Sequence, residues 1–188
     1  MRSLDSSALL KGVHMEINNV AKFEKISLEQ YCKDTLGTEI EHVSATVAAM
    51  LKVEYESIQL PRRATQGSAG YDFYLPTPWA FQPSMDNKIY TGIRVKLQPG
   101  WMLALFPRSG LGFKFGASLK NTTGIVDSDY YFAENEGHII VNMQTNTEFI
   151  LKEQERFVQG ILIPYGLCVG DSLDLGEKRT GGFGSTGR

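Results

Sequence analysis

A carboxylate beside a glycine-containing turn is the most suggestive chemical feature of this sequence. Residues 121–130 read NTTGIVDSDY, so Gly124 follows a β-like run and Asp127 and Tyr130 come shortly after it. The N–H and C=O groups of a hairpin turn form a rigid pattern that can read the edge of a nucleobase. Asp127, beside that turn, could orient and deprotonate a water molecule. Taken alone, such a block is more often a turn whose aspartates only cap the backbone or face solvent.

A second segment, residues 107–112 (PRSGLG), combines a guanidinium, a hydroxyl and two glycines after a predicted strand. Exposed backbone N–H groups, together with Arg108 and Ser109, could form a cradle for a phosphate. Short Gly/Ser loops are common, so this fragment by itself favours an ordinary turn with a surface arginine. Only its combination with other motifs can decide between the two interpretations.

Residues 155–160 (ERFVQG) predict the beginning of a strand that carries two polar side chains. Arg156 and Gln159 are an odd number of positions apart, so in a regular strand they would point to opposite faces. One could then support the interior while the other reaches a ligand. An ordinary polar beginning of a strand is the simpler interpretation of this fragment alone.

The last ten residues (RTGGFGSTGR) are rich in glycine and hydroxyls and contain one aromatic side chain. Such a composition by itself predicts a mobile tail. If the tail closes over a nucleotide, Phe183 could stack on the base, and Arg179, Ser185 and Thr186 could bind phosphates. A single aromatic residue flanked by glycines is unusual for a pure linker.

Composition and charge exclude several classes of function. The chain has 188 residues, of which 42% are hydrophobic, as expected for one globular domain. A net charge of -2 argues against general electrostatic binding of nucleic acid or of an anionic membrane. A few well-placed arginines could still bind a small anion. No apolar run reaches the roughly 20 residues needed to span a bilayer.

The cysteines and the first residues favour a cytoplasmic protein. Cys32 and Cys168 are far apart and lack metal-type spacing, so free thiols in a reducing compartment are expected, although a disulfide stays open. The start of the chain lacks the apolar region of a signal peptide. Met1 and Met15 are both candidates for the native start, and with Met15 residues 1–14 would be an expression remnant.

Three zones follow along the chain, and together they predict a mainly β fold. Residues 23–50 look helical: Ser27 is a good N-cap, Gly37 a good helix end, and a second short helix is expected over 42–51. From residue 52 to about 174, short β-like runs alternate with turns, which predicts a β-barrel or jelly-roll-like domain. The predicted strands are 57–60, 70–74, 88–97, 101–106, 118–122, 138–142, 149–151 and 157–165. The expected division is thus a helical extension over 15–51, a β domain over 52–175 and a mobile tail over 176–188.

The order of these segments resembles the five motifs of the trimeric dUTP diphosphatase (dUTPase) family. Residues 67–72 (GSAGYD) are similar to the first motif, 107–112 to the second, 121–130 to the third, 155–159 to the fourth and 179–187 to the fifth. The resemblance covers residues 57–188, and its third and fifth motifs are the most specific. The helical N-terminal zone lies outside the common core and resembles a Firmicutes or phage-like subgroup.

The resemblance implies a role for each matching residue. Asp127 would activate water and contact the sugar 3′-OH, while Tyr130 would pack under the deoxyribose and exclude a 2′-OH. The uracil would be bound by Asn121, Gly124 and Ile125, with Phe183 stacked on it. The phosphates would be bound by Arg108, Ser109, Gly110, Gln159, Arg179, Ser185 and Thr186. Asp72 and Arg156 would support the site through a buried ion pair.

The resemblance also implies an activity and an assembly. The protein would hydrolyse dUTP to dUMP and pyrophosphate, which keeps uracil out of DNA and supplies dUMP. Each site would be built from three chains of a homotrimer, with Mg²⁺ held by the triphosphate and water and without a direct protein ligand. Two alternatives share the fold, a dCTP deaminase and a regulatory nucleotide-binding protein. The deaminase would need its own acid and base at the pyrimidine ring, whereas this chain carries Asp127, Tyr130 and Phe183.

One departure from the family pattern follows Tyr130. The family usually continues directly to a short Gly-containing turn, whereas residues 131–137 (YFAENEG) are longer and acidic here. This segment, which we call the acidic insert, could alter a subunit contact or serve as a surface for a protein partner. The sequence leaves both interpretations open.

Overall fold

The computed structural model describes residues 19–171, which form a mainly β fold. The strands are β1 (Ala21–Lys25), β2 (Arg62–Arg63), β3 (Tyr71–Tyr74), β4 (Trp79–Phe81), β5 (Asn87–Tyr90), β6 (Ile93–Leu97), β7 (Trp101–Pro107), β8 (Ser118–Leu119), β9 (Gly124–Val126), β10 (Ile140–Gln144), β11 (Phe149–Leu151) and β12 (Arg156–Pro164). The helices are α1 (Leu28–Leu36), α2 (Ala45–Ser57) and α3 (Ser109–Phe115), with 3-10 turns at Ile40–His42 and Ser128–Phe132. The predicted fold class is confirmed.

The strands form four antiparallel groups around one core. The largest group has the order β2-β3-β12-β7-β9, and the others are β5-β10-β8, β11-β4 and β1-β6. Large apolar side chains fill the space between the groups, and Phe73, Leu103 and Phe157 are at most 1% exposed. Burial of a side chain of this size contributes about 1.5–3 kcal/mol. The core therefore holds the groups together and carries the loops at their ends.

The first helix begins and ends where the sequence predicts. The Ser27 hydroxyl accepts a hydrogen bond from the Gln30 N–H at 3.1 Å, and Gly37 ends α1 in the left-handed conformation with φ 72°. A serine cap of this kind stabilises a helix by about 1 kcal/mol. The second predicted helix also exists, but it begins after the Ser44 cap and continues to Ser57.

Two boundaries predicted for the N-terminal zone are wrong. Residues 21–25 are not helical but form strand β1, which pairs with β6 and places the Phe23 ring 5.8 Å from that of Phe73. The predicted strand over 57–60 is absent, because α2 extends past the expected boundary at 51/52. Tertiary contacts explain the longer helix: the Tyr55 hydroxyl donates to the Ile26 carbonyl at 2.6 Å. The extension is therefore joined to the β domain rather than appended to it.

The other strand predictions agree best where the chain is most apolar. The predicted strand over 149–151 coincides with β11, those over 70–74 and 101–106 differ from β3 and β7 by one residue at one end, and that over 157–165 is shifted by one residue from β12. The run over 138–142 begins two residues later as β10, and that over 118–122 shortens to β8. The expected strand over 88–97 is two strands, interrupted at Thr91 and Gly92. Strand β4 was not predicted, because it is three residues long and follows a proline-rich turn.

Gly92 occupies the point where the N-terminal extension meets the β domain. Its N–H donates to Nε2 of His138 at 2.9 Å, and its carbonyl accepts from the Ile26 N–H at 3.0 Å. Its φ is 68°, and an added Cβ would lie 2.3 Å from Cδ1 of Ile58. Only glycine fits this backbone without displacing a neighbour.

We expect Gly92→Ala to lower the free energy of unfolding by about 2–4 kcal/mol, because a strained backbone is combined with a steric conflict. Urea denaturation followed by tryptophan fluorescence measures this loss. Gly100→Ala is the matched control: its φ is 82°, and an added Cβ would meet no described atom within 4 Å. The control should cost only about 1–2 kcal/mol. Equal losses for the two variants would show that the contacts of Gly92 are unimportant.

Candidate active site

The block that contains Asp127 lies on a strand at the edge of the largest sheet. Strand β9 pairs with β7, with Gly124 opposite Leu105 and Val126 opposite Leu103. Asp127 follows directly, is exposed, and its carbonyl accepts from the Tyr130 N–H at 3.2 Å. The strand register and this turn therefore place the Asp127 carboxylate at the surface, on a supported backbone.

The turn before β9 differs from a simple hairpin. Residues 119–122 form a tight turn closed by a bridge between Leu119 and Thr122, and Thr122 has φ 67°. The flanking strands then separate, since β8 pairs with β10 and β9 pairs with β7. The prediction of a hairpin formed by β8 and β9 is therefore wrong. The physical reason is that each strand finds a longer partner elsewhere.

A cavity of about 220 Å³ lies at this turn. Its walls are mostly apolar, and amide groups are present at its rim. The lining residues are Leu105, Leu119, Lys120, Asn121, Gly124, Ile140, Val141 and Asn142. Of the residues predicted to bind a base, Asn121 and Gly124 line this cavity, whereas Ile125 lies on β9 and is 48% exposed. We call this space the base cavity.

Tyr130 is held by hydrogen bonds in the turn after Asp127. The side chain is buried, and its hydroxyl donates to the His138 carbonyl at 2.8 Å. Nδ2 of Asn135 donates to the same hydroxyl at 2.8 Å. The ring orientation of Tyr130 therefore depends on the acidic insert, from which Asn135 comes, and on the residue that follows it.

The predicted ion pair of Asp72 has two arginine partners rather than one. Asp72 is 5% exposed; its Oδ2 lies 3.1 Å from Nη1 of Arg156 and its Oδ1 lies 3.1 Å from Nε of Arg108. Strand β3 carries the aspartate, while β12 and the residue after β7 carry the arginines. Two half-exposed guanidiniums around one buried carboxylate leave a net positive charge at the surface. This charge suits an anionic ligand.

A β-bulge changes the predicted directions of Arg156 and Gln159. The register of β12 against β3 shifts between Arg156 and Val158, and Phe157 and Val158 are both fully buried. Arg156 therefore contacts Asp72, the residue directly opposite Gln159, so both polar side chains lie on one side of the strand. The prediction of opposite faces is wrong, because a bulge adds one residue to the alternation. The Gln159 amide packs against Gly70, where an added Cβ would lie 2.5 Å from its Oε1.

A second cavity, of about 700 Å³, lies beside the two arginines, and its volume is typical of a ligand site. Its lining residues are Tyr74, Arg108, Ser109, Gly110, Leu111, Lys114, Phe115, Leu151, Gln154, Glu155 and Arg156. We call this cavity the arginine cavity.

Residues 109–115 form helix α3 rather than the predicted loop, because Leu111 is buried and Phe115 stacks on Phe149 at 4.1 Å. Lys114 was not predicted as a site residue. Helical periodicity from Ser109 could have revealed it, had the helix been recognised.

Four predicted site residues, Arg179, Phe183, Ser185 and Thr186, lie outside the described residues. Within residues 19–171, no group of three or more His, Cys, Asp or Glu side chains could hold a metal ion. No helix in the same range is long and apolar enough to cross a membrane.

The mainly β fold, the positive arginine cavity and the base cavity suit a protein that binds a small anionic molecule, and comparison with known proteins identifies its family. The dUTPase family model matches residues 56–187. The deoxyuridine 5'-triphosphate nucleotidohydrolase of Lactococcus lactis subsp. lactis (strain IL1403) is 39% identical over 139 residues, which cover 72% of this chain and 93% of that protein. The chain therefore belongs to the dUTPase family, and its activity is the hydrolysis of dUTP.

Solved structures agree with this assignment. The dUTPase from Streptococcus mutans is similar with a TM-score of 0.57 and 30% identity, covering 78% of this chain and 97% of that one. A dUTPase variant from phage phi11 of S. aureus shares the fold with a TM-score of 0.54 and 18% identity, covering 65% of this chain and 94% of that one. The predicted family, fold and enzymatic activity are thus confirmed.

We expect Asp72→Asn to lower the free energy of unfolding by about 1–3 kcal/mol, because it leaves two guanidiniums side by side without their shared anion. Partial exposure of both arginines keeps the loss below that of a fully buried pair. Asp86→Asn is the control, since Asp86 forms an exposed ion pair with Lys120. Chemical denaturation should show no resolvable change for the control. An equally small change for Asp72→Asn would contradict a structural role for the arginine pair.

Proposed function

We propose that Asp127 is the general base that activates the water attacking the α-phosphate of dUTP. The observation that carries the proposal is the position of its carboxylate, exposed at the end of β9 and three residues before a buried, hydrogen-bonded tyrosine. Removal of the water proton by Asp127 would accompany attack on phosphorus, and pyrophosphate would leave with the electrons of the broken P–O bond. A base in position typically contributes a factor of 10²–10⁴.

We propose that the base cavity binds uracil and that Tyr130 packs under the deoxyribose. The apolar walls of the cavity suit a pyrimidine face, while Asn121 and the backbone near Gly124 and Ile125 offer hydrogen bonds to its edge. A buried ring held through its hydroxyl cannot easily move away from a ribose 2′-OH. Tyr130 would thereby select deoxyribose.

The phosphates are proposed to bind in the arginine cavity. Arg108 and Ser109 line it together with the backbone of Gly110, and Lys114 adds a cation at the same wall. Arg156 and Asp72 hold the first arginine in place, and Gln159 lies on the same side of β12. Mg²⁺ takes oxygen ligands and commonly binds through substrate phosphates and water. The described residues that line the arginine cavity offer cations and N–H groups rather than a set of carboxylates, so they suit a metal that arrives bound to the triphosphate and neutralises part of its charge. The phi11 enzyme is described with a structural Mg(II) ion.

The register of β7 supports a site shared between chains. Asp127 follows β9 at the level of Met102, whereas Arg108 lies beyond the opposite end of β7. Met102 and Arg108 are separated by an extended chain of about 20 Å. Among the described residues, the base cavity and the arginine cavity also share no lining residue. A base at the α-phosphate and an arginine on the neighbouring phosphates must lie close together, so we propose a homotrimer in which different chains supply Asp127 and Arg108.

The glycine-rich tail is proposed to complete the site of a neighbouring chain, with Phe183 on the uracil and with Arg179, Ser185 and Thr186 on the phosphates.

We also propose a cytoplasmic location. Its support is that both cysteines are free thiols, Cys32 buried and Cys168 exposed, as is usual in a reducing compartment.

We expect Asp127→Asn to bind dUTP almost as well as the unmodified enzyme and to hydrolyse it about 10²–10⁴-fold more slowly, because only the base is lost. Calorimetry with a non-hydrolysable analogue measures binding, and pyrophosphate release measures turnover. Asp129→Asn, two residues away on the same turn, should retain most of the activity. Near-normal turnover by Asp127→Asn would overturn the assignment of the base.

A complementation experiment tests the shared site. Differently tagged Asp127→Asn and Arg108→Ala chains are co-expressed and purified through both tags, and each parent alone should have little activity. In a mixed trimer with rotational symmetry, about one site in three combines an intact Asp127 with an intact Arg108 from its neighbour. We therefore expect about a third of normal turnover. A mixed assembly as inactive as its parents would place both residues in one chain's own site.

A further inference from the structure

Helix α1 is fastened to the acidic insert at its N-terminal end. Oε2 of Glu136 accepts the Ser27 N–H at 2.8 Å, and Oε1 accepts the Ser27 hydroxyl at 2.6 Å. Ser27 also caps α1, so one residue begins the helix and binds the insert. Glu136 reaches it from a left-handed backbone conformation, φ 57°, which is uncommon for a residue with a side chain. This double hydrogen bond joins segments that are 109 residues apart in sequence.

The other end of α1 reaches the residue that follows the insert. Oδ2 of Asp34 lies 2.6 Å from Nδ1 of His138, and Nε2 of His138 accepts the Gly92 N–H. Because Nε2 is the acceptor, the proton of a neutral ring is on Nδ1, which donates to Asp34. Gln30 holds the second oxygen of Asp34 at 2.8 Å, and His138 is fully buried. The imidazole therefore has one orientation, determined from both sides.

Two further hydrogen bonds fix the positions of α1 and of the acidic insert. The Tyr31 hydroxyl donates to Glu54 of α2 at 2.5 Å, and burial holds the pKa of Tyr31 well above its ordinary value, so this donor stays protonated. On the insert, the Tyr131 hydroxyl donates to Glu24 of β1 at 2.6 Å. Hydrogen bonds from Lys22 and then from Tyr131 lower the pKa of Glu24, so this acceptor is ionised at neutral pH.

The same network ends on the tyrosine of the active site. The His138 carbonyl accepts the Tyr130 hydroxyl, and Asn135 donates to that hydroxyl from within the insert. The chain also returns closely over Tyr130: a Cβ added at Gly137 would lie 2.7 Å from the Tyr130 carbonyl oxygen. A displacement of His138 or of the insert must therefore move Tyr130.

We propose that Asp34 and His138 are positioning residues that enforce selection of deoxyribose over ribose by fixing Tyr130. The N-terminal extension thus contributes to substrate specificity through the acidic insert, although none of its described residues lines the base cavity or the arginine cavity. The inference rests on the proposed role of Tyr130 under the sugar. In this proposal the N-terminal extension and the acidic insert of one chain together hold Tyr130 in place.

The test compares kcat/KM for dUTP with kcat/KM for UTP in Asp34→Ala. Loss of the carboxylate frees the imidazole, and misplacement of a positioned group by about 1 Å can cost 10²-fold. We expect the dUTP/UTP ratio to fall at least about tenfold, mainly through faster hydrolysis of UTP. Asp34→Asn keeps an oxygen acceptor for Nδ1–H and should restore most of the ratio. A lower melting temperature with an unchanged ratio in Asp34→Ala would overturn the proposal, because the contact would then be only structural.

Two further variants complete the experiment. Lys33→Ala, also on α1, removes an exposed ion pair with Glu39 beyond the end of the helix and should leave the ratio unchanged. If Asp34→Ala does not fold, Glu136→Gln replaces it in the experiment, because Glu136 is half-exposed and its substitution is better tolerated. This variant should lower the ratio severalfold, and an unchanged ratio would again overturn the proposal.

Tyr130→Leu separates failure of the positioning network from failure of the proposed function. If this variant keeps the ratio, Tyr130 does not select the sugar, and both inferences are wrong. If it loses the ratio while Asp34→Ala keeps it, Tyr130 retains its role and only the positioning proposal is wrong. Turnover of dUTP by the unmodified enzyme is measured in parallel and tests the activity independently.

Discussion

The pairing of strand β7 is the constraint on which the rest of the site depends. It pairs with β12 along seven residues and with β9 along three, so three segments that carry polar residues are fixed relative to one another. Arg108 leaves one end of β7 beside Asp72, and Asp127 lies near the other end. A change of register by one residue would turn every side chain of β9 to the opposite face. Backbone hydrogen bonds therefore determine which polar groups are close and which are far apart.

The buried Asp72 carboxylate shows how stability and function share one interaction. A carboxylate in the interior needs compensating charge, and two arginines supply it. Because those arginines are only half-buried, their outer surfaces face a cavity that suits an anion. The same guanidiniums thus hold neighbouring strands together and make the arginine cavity positive. A chain with a net charge of -2 can therefore present a locally positive surface, which suits the triphosphate in the proposed site.

Much of this architecture could be predicted from local sequence, since apolar strands, the Ser27 cap and the Gly37 helix end depend on neighbouring residues. The polar segments assigned to the proposed site are also recognisable by their order. Non-local effects could not be predicted: β1 exists because β6 offers an edge, and α2 is longer because Tyr55 reaches Ile26. Alternation along a strand predicts opposite faces for Arg156 and Gln159, but the bulge places both side chains on one face. The contact between α1 and the insert joins residues that are distant in sequence. His138 has no local pattern that distinguishes it from an ordinary core histidine.

The two hydrogen bonds between Ser27 and Glu136 have a consequence for how such a chain can change over generations. An acidic insert without α1 would leave Glu136 in its left-handed conformation without the two Ser27 hydrogen bonds, and Arg94, whose Nη1 lies 3.9 Å from Oε2, would be its remaining ion-pair partner. An extension without the insert would lose the carboxylate that accepts both the N–H and the hydroxyl of its capping residue Ser27. Each segment is costly alone and stabilising in the presence of the other. The two insertions, 109 residues apart, should therefore be inherited, exchanged and lost as a single module.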